Sequence, residues 1–114
     1  MMADNSHTQN LGELTEELLN KARGANSGRA ADTVYSGRYL KQALLTLTAG
    51  TTMAEHDSPP EATLQVLQGN VALSSAEGSW DLHTGDLMAI PPERHSVTAH
   101  EDAAFLLTIR TDVS

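Results

Sequence analysis

The sequence predicts an all-β domain, a sandwich or small barrel, preceded by one short α-helix. Two observations carry this prediction: short apolar runs recur from residue 33 onward, and Gly, Pro and Asp residues separate them at regular intervals. With 114 residues the chain is long enough for one hydrophobic core and too short for two. We therefore expect a disordered tail over 1–10, a helix and linker over 11–31, and one barrel domain over 32–114.

The helix is predicted from the segment LGELTEELLNKAR, residues 11–23. Acidic residues crowd its first turns and basic residues its last, as the helix dipole favours, and Gly24 ends it. A helix of this length is marginally stable alone, so its apolar face must pack on the barrel. That face is predicted from residues that recur every three to four positions: Leu11, Leu14, Leu18 and Ala22.

Two predicted strands carry large apolar residues on both of their alternating faces. One is LKQALLTL, residues 40–47, and the other is FLLTI, residues 105–109. A strand with one solvated face alternates apolar and polar residues, so both strands are predicted to be covered on two sides. The barrel interior is one cover, and the N-terminal helix or a second subunit is the other. We expect a homodimer that buries strand 40–47.

The composition excludes several classes of partner. Fifteen acidic residues against seven basic ones give a net charge of −8, which repels nucleic acids and anionic membrane surfaces. No apolar run reaches the roughly 18 residues needed to span a bilayer, and MMADNSHTQN has no secretion-signal pattern. Cysteine is absent, which removes disulfides and thiolate chemistry. We expect a cytoplasmic protein with a small-molecule partner, and neither nucleic acid nor membrane.

Two motifs in the second half of the chain resemble those of the cupins, a superfamily of small β-barrels common in bacteria. Gly50, His56 and Gly69 match the spacing of the first cupin motif, G-x5-H-x-H-x3-4-E-x6-G. Gly85 and Pro91 match the second, G-x5-P-x-G-x2-H-x3-N, whose histidine then falls one residue early. The resemblance implies a cupin-type β-barrel, also called a double-stranded β-helix or jelly roll.

The resemblance also implies a metal held by three histidines and one glutamate, and here the set is degenerate. The second histidine position of the first motif is Ser58 and the glutamate position is Ala62, which leaves His56 and His95. Strand alternation places Glu61 on the outward face, so it cannot substitute. Since a transition metal normally needs at least three protein ligands, we expect no cofactor, or at most a weakly bound divalent transition metal on these two histidines.

The two histidines are predicted to face one cavity. On the incoming strand His56 shares its parity with Ser58, and His95 shares a small apolar face with Val97 and Ala99. Two methionines border the histidine strands and are interpreted as apolar lining. The predicted ligand pocket comprises His56, Ser58, Ala62, Leu64, Met53, Met88, His95 and Val97.

Three functions remain open at this point, because cupins host many unrelated activities and the site must decide among them. The first is a small-molecule-binding cupin of unassigned ligand, with its pocket around His56 and His95. The second is an enzyme, either a metal-dependent dioxygenase or isomerase of the cupin kind or a metal-free acid–base catalyst using histidine. The third is a structural or interaction protein with a filled barrel.

Overall fold

The structure, a computed structural model, describes residues 8–56 and 61–111. In these residues one helix precedes nine strands, which form two antiparallel sheets. The elements are α1 (Leu11–Gly24), β1 (Arg29–Ser36), β2 (Leu40–Leu47), β3 (Thr52–His56), β4 (Ala62–Gln68), β5 (Asn70–Ser75), β6 (Gly78–His83), β7 (Leu87–Ala89), β8 (His95–Ala99) and β9 (Ala103–Arg110). The order of strands is β1-β2-β9-β4-β7 in the first sheet and β3-β8-β5-β6 in the second. The predicted all-β architecture with one short helix is confirmed.

The hydrophobic core lies between the inner faces of the two sheets. On β4 the residues Ala62, Leu64 and Val66 are buried while their neighbours are only half-buried, which is the alternation expected from the sequence. Both sheets contribute side chains, so neither could bury its inner face alone. The core cluster consists of Leu47, Leu64, Val66, Val71, Leu73, Leu82, Val97, Ala99, Ala103 and Phe105.

Helix α1 covers part of the outer face of the first sheet. Leu18 packs against Leu44 of β2 and Ala104 of β9, and the Thr46 hydroxyl donates to the Leu18 carbonyl oxygen at 3.0 Å. The helix is thus one of the two covers predicted for strand 40–47. The start of β2 lies beyond the helix, where Leu40 is 40% exposed. No helix in the described residues is long and apolar enough to cross a membrane.

The helix begins with a side-chain cap and buries a wider face than the leucine spacing predicted. The Asn10 side chain accepts a hydrogen bond from the backbone N–H of Glu13 at 2.8 Å, which satisfies one of the free amides of the first turn. Thr15 and Leu19 are buried together with the predicted Leu18 and Ala22. The buried stripe therefore includes both the i+3 and the i+4 neighbour of Thr15, which are Leu18 and Leu19.

Two predicted boundaries differ from the structure. Strand β1 begins at Arg29, so residues 29–31, which we assigned to the linker, already belong to the barrel. This edge strand is mostly polar and is held by backbone pairing to β2, which a hydrophobic pattern does not report. Within the predicted disordered tail, Gln9 donates from its side chain to the Val34 carbonyl and Asn10 caps the helix. Residues 1–7 lie outside the described part of the chain.

Gly69 turns the chain from one sheet to the other and does not form a hairpin turn between β4 and β5. The reason is that β4 pairs with β7 and β9 in the first sheet, while β5 pairs with β6 and β8 in the second. Gly69 has a φ of 80°, and a Cβ atom at this position would overlap the Asp102 carbonyl oxygen. Only glycine meets both the conformational and the steric requirement.

Asp102 ties together three segments that are distant in sequence. Its Oδ1 accepts from the Ala49 backbone N–H at 2.9 Å, in the turn between β2 and β3. Its Oδ2 lies 2.9 Å from Nη2 of Arg23, near the end of α1. The Ala49 hydrogen bond and then the Arg23 guanidinium favour the charged carboxylate, which holds the pKa of Asp102 below its ordinary value.

Replacement of Asp102 is expected to remove a pH-dependent part of the stability. Because the folded-state pKa is lowered, the stabilisation is complete above the unfolded-state pKa of about 4 and is lost as the pH falls through the folded value. Asp102→Asn should lower the free energy of unfolding by about 1 kcal/mol at neutral pH. Urea titrations between pH 7 and pH 3 should show the wild-type advantage shrink. Asp81→Asn, at a side chain 70% exposed, is the control. If the difference in free energy of unfolding between the wild type and Asp102→Asn did not change with pH, the role given to the Asp102 carboxylate would be contradicted.

At position 69 the steric requirement for glycine can be measured separately from the conformational requirement that a positive φ imposes in any turn. Gly85 also has a positive φ, 93°, but a Cβ there would meet nothing within 4 Å. Gly85→Ala should therefore cost only the backbone penalty, about 1–2 kcal/mol. Gly69→Ala should cost about 1–3 kcal/mol more, since the added methyl group also overlaps Asp102. Equal losses for the two variants in denaturant unfolding would show that the close approach has no energetic consequence.

Candidate functional site

His95 lies on the inner face of β8, where the other inward residues are apolar. Burial alternates along this strand, so His95, Val97 and Ala99 all face the core. His95 is only 2% exposed. A buried imidazole needs hydrogen-bond partners, and Nδ1 lies 3.2 Å from the Glu93 carbonyl oxygen. A carbonyl can only accept, so Nδ1 carries a hydrogen and donates it to the Glu93 carbonyl oxygen.

The segment that orients His95 is itself anchored to β5. Ser75 is the register partner of His95, and its hydroxyl donates to Oε1 of Glu93 at 3.1 Å. The Glu93 side chain is thereby fixed while its carbonyl holds the imidazole. Neither Ser75 nor Glu93 was predicted from the sequence, because their roles depend on the pairing of β5 with β8. The only local signal was the position of Glu93, two residues before the histidine.

The backbone of His56 reaches the same end of the barrel through an irregularity in β3. Met53 pairs with Val97, and the next recorded pair is His56 with His95. Two residues on β3 thus oppose one on β8, as in a β-bulge, and this resets the alternation between faces. The two histidines expected to share a cavity are direct register partners, a relation that places Cα atoms roughly 4.5–5.5 Å apart in antiparallel ladders.

The other described residues of the predicted pocket line the barrel interior. Ala62 and Leu64 are buried on β4, and Met88 of β7 is the register partner of Leu64. Met53 and Met88 are half-buried and pack against the core that contains Val97. Ser58 lies outside the described residues. That these side chains contact a ligand stays a prediction.

The residues at the motif positions do not fit the metal that the cupin resemblance implies. Ala62 occupies the glutamate position with a buried methyl group, which has no donor atom. The side chain of Glu61 is 71% exposed, and its Oε1 lies 3.6 Å from Nη1 of Arg110, so it faces outward as expected. Among the side chains that the structure describes, no three His, Asp or Glu come together as a metal site. The donors described at the motif positions therefore fall short of the three protein ligands that a tight zinc-like site needs.

Two further histidines lie on the surface. Nδ1 of His83 lies 2.8 Å from Oδ1 of Asn70, at the adjoining ends of β6 and β5. Nε2 of His100 lies 3.3 Å from Oδ1 of Asp81, and both side chains are largely exposed. Neither histidine belongs to the interior set, so they serve as reference positions for experiments on His95.

No protein-family model matches the sequence, and no curated protein matches it either. Solved structures match the fold. A cupin-2 domain protein from Shewanella frigidimarina has a TM-score of 0.70 at 13% identity, over 94% of this chain and 98% of its own. A cupin superfamily protein from Desulfitobacterium hafniense has a TM-score of 0.67 at 15% identity, over 74% of this chain and 78% of its own.

An enzyme is also among the structural neighbours. A salicylate 1,2-dioxygenase from Pseudaminobacter salicylatoxidans has a TM-score of 0.69 at 20% identity, over 84% of this chain but only 32% of the enzyme. Identities this low carry the fold and leave the activity to be argued from the site. The two packed antiparallel sheets, the single short helix and these neighbours together show that the chain has the cupin fold, a small jelly-roll barrel.

Proposed function

We propose that the chain is a small-molecule-binding cupin whose pocket lies inside the barrel around His95 and His56. The observation that supports this most strongly is the burial of His95 on an otherwise apolar inner face. An aliphatic side chain at this position would pack without the desolvation cost of an imidazole. An oriented, buried imidazole suits recognition of a polar group on a ligand.

The surroundings of His95 indicate the kind of ligand. The inner face around it is apolar, through Leu64, Val97 and the two half-buried methionines. Ligand sites commonly combine such a lining with a few placed polar groups. Because the Glu93 carbonyl accepts from Nδ1, the imidazole is held in one orientation within this apolar lining. The proposed ligand is therefore a small, mainly apolar molecule that carries one polar group.

The proposed site works without a tightly held metal, and a divalent transition metal binds weakly at most. One enzymatic alternative is favoured by the register pairing of His56 with His95, which sets the Cα atoms of two histidines opposite each other. Histidine is a residue type able to transfer protons near neutral pH. In that alternative one imidazole removes a proton and the other stabilises the product. Turnover that survives the combined changes His56→Gln and His95→Gln would discard it.

A thermal-shift screen against small phenols, alcohols, amines and sugars tests the binding proposal. Ligands that raise the melting temperature of the wild type should bind at least tenfold more weakly to His95→Gln, because this variant lacks the imidazole that is proposed to recognise the polar group of the ligand. His100→Gln, at an exposed histidine directly after the same strand, is the matched control and should bind like the wild type. Ligands that stabilise the wild type and His95→Gln equally would place the site elsewhere.

Elemental analysis of the same untagged preparations tests the metal-free character of the site. The wild type should carry far less than one equivalent of iron, manganese, nickel or zinc after growth with added metals. The deficit of donor side chains at the motif positions is the physical reason. One equivalent of metal that disappears in His95→Gln and stays in His100→Gln would overturn the proposal and require a further ligand.

We also propose a homodimer through the part of the first sheet's outer face that α1 leaves open, which includes the first half of strand 40–47. Leu40 and Leu87 on this face are 40% and 64% exposed. The residues between them are mainly uncharged: Gln42, Thr63, Gln65, Leu106 and Thr108. At the rim Arg110, the register partner of Leu40, pairs with Glu61. For a chain with a net charge of −8, a patch with little net charge offers a surface on which two copies can meet with less repulsion.

Leu87→Lys should convert this dimer into a monomer, because a charge buried in an apolar interface is left without a partner. Light scattering coupled to gel filtration at micromolar concentration measures the effect. Ala76→Lys adds the same charge in the exposed turn between β5 and β6 and should leave the dimer intact. A monomeric wild type, or equal behaviour of the two variants, would contradict the proposed interface.

A further inference from the structure

A second pocket opens between the two sheets, at the edge where β1 and β3 lie. These are the terminal strands of the first and second sheets, so no further strand of the described residues closes the barrel there. The pocket has a volume of about 310 Å³, near the lower end of the range for small-molecule sites. The lining residues that matter here are Ser27, Arg29, Ala31, Leu45, Leu47 and Met53.

Arg29 brings a positive charge to the inner side of this edge. Its register partner on β2 is the fully buried Leu47, and Ala31 pairs with the half-buried Leu45. Directly opposed residues of an antiparallel pair project to the same face. Arg29 and Ala31 therefore project toward the apolar side of the pocket, while Asp32, the partner of Leu44, projects to the outer face.

The Arg29 guanidinium has no acidic partner within the described residues. Arg23 is paired with Asp102, and Arg110 is paired with Glu61. The side chain of Arg29 forms no ion pair and no hydrogen bond with any of the described residues. The pocket lining itself contains no acidic side chain. In a chain with more than twice as many acids as bases, this leaves the Arg29 guanidinium available for an external anion.

The backbone before Arg29 is held in place independently of any ligand. The Gly28 carbonyl oxygen accepts from the Thr48 N–H at 2.9 Å, and the Gly28 N–H donates to the Ala25 carbonyl at 3.0 Å. Gly28 has a φ of 72°, and a Cβ atom there would overlap the Thr51 hydroxyl. The start of β1 is therefore preorganised, which lowers the ordering cost of binding at Arg29.

We infer that this pocket binds a small monocarboxylate with an apolar body. The carboxylate pairs with the Arg29 guanidinium, whose planar geometry allows two parallel hydrogen bonds. The apolar body lies against Leu45, Leu47 and Met53. The site is distinct from the one around His95, since it shares only Met53 with the residues assigned to that pocket. The bound carboxylate would also fill the open edge of the barrel between β1 and β3.

Arg29 could instead protect the edge strand against pairing with another sheet, which would also explain its inward position. Experiments distinguish this role from anion binding. Charged residues that point inward on edge strands prevent the edge from pairing with another sheet. In that case Arg29→Gln raises self-association and leaves carboxylate binding unaffected. For the proposed site, Arg29→Gln weakens carboxylate binding whatever it does to self-association.

Titration with sodium hexanoate, followed by amide NMR shifts of the full chain, tests the inference. Saturable shifts are expected for residues 29–31, 45–47 and 53. Arg29→Gln should weaken hexanoate binding at least tenfold, while Arg38→Gln, which removes a charge stacked on Tyr39, should not. The neutral analogue 1-hexanol should bind more weakly than hexanoate, and added salt should weaken hexanoate binding because Arg29 is exposed.

A second variant keeps the charge and removes the space. Ala31 is exposed on the edge strand, so Ala31→Phe can fill the pocket without disturbing the core, and it should abolish hexanoate binding. The inference is overturned by absent hexanoate binding, by equal affinity for 1-hexanol, or by an affinity that neither variant lowers. Shifts centred on residues 95–97 would place the anion in the barrel interior and would overturn it as well.

Discussion

The packing of the two sheets through their inner faces is the constraint on which the other features depend. Residues such as Leu47 and Phe105 from one sheet and Val71 and Val97 from the other leave water together. Because side chains alternate along a strand, a shift of one residue would turn each of these faces outward. The register is therefore fixed along every inner strand, and any residue with the right parity is carried inside with its neighbours. His95 is buried because Val97 and Ala99 are buried.

The same constraint underlies the proposal that the interior takes a small-molecule ligand and no tightly held metal. At the position where the cupin resemblance implies a glutamate, Ala62 contributes a buried methyl group to the core and no donor atom. Glu61 cannot replace it, since moving it inward would require the register shift that the core forbids. What remains polar in the described interior is an imidazole oriented by a backbone carbonyl. Such a group is suited to recognise one polar atom of an otherwise apolar molecule.

Helix α1 and the Asp102 contacts complete the barrel on one side and leave two surfaces open. The helix covers the second half of β2, and Asp102 holds the helix end, the β2–β3 turn and the β8–β9 turn together. The uncovered surfaces are the outer sheet face near Leu87 and the edge pocket beside Arg29. The side chains of the sheet face are mainly uncharged, whereas the edge pocket combines a cation with apolar residues. The proposed partners differ accordingly: a second copy of the chain for the sheet face and a small anion for the pocket.

The amino-acid sequence by itself determined the features that follow from periodicity. The helix over 11–23, the inward set on β4 and the inward face of His95 were all predicted, because burial imposes a period of 3.6 on helices and of 2 on strands. The turn chemistry likewise marked most strand boundaries, although it could not say which strands those turns connect.

Only the tertiary structure decided how these elements meet. It decided that Gly69 crosses between sheets, that β1 begins at Arg29 as an edge strand, and that an irregularity in β3 sets His56 opposite His95. The Asp102 contacts and the edge pocket arise in the same way. Each depends on hydrogen bonds or packing between residues far apart in the chain. A local pattern of hydrophobicity records whether a residue is buried, but not which distant residue lies against it.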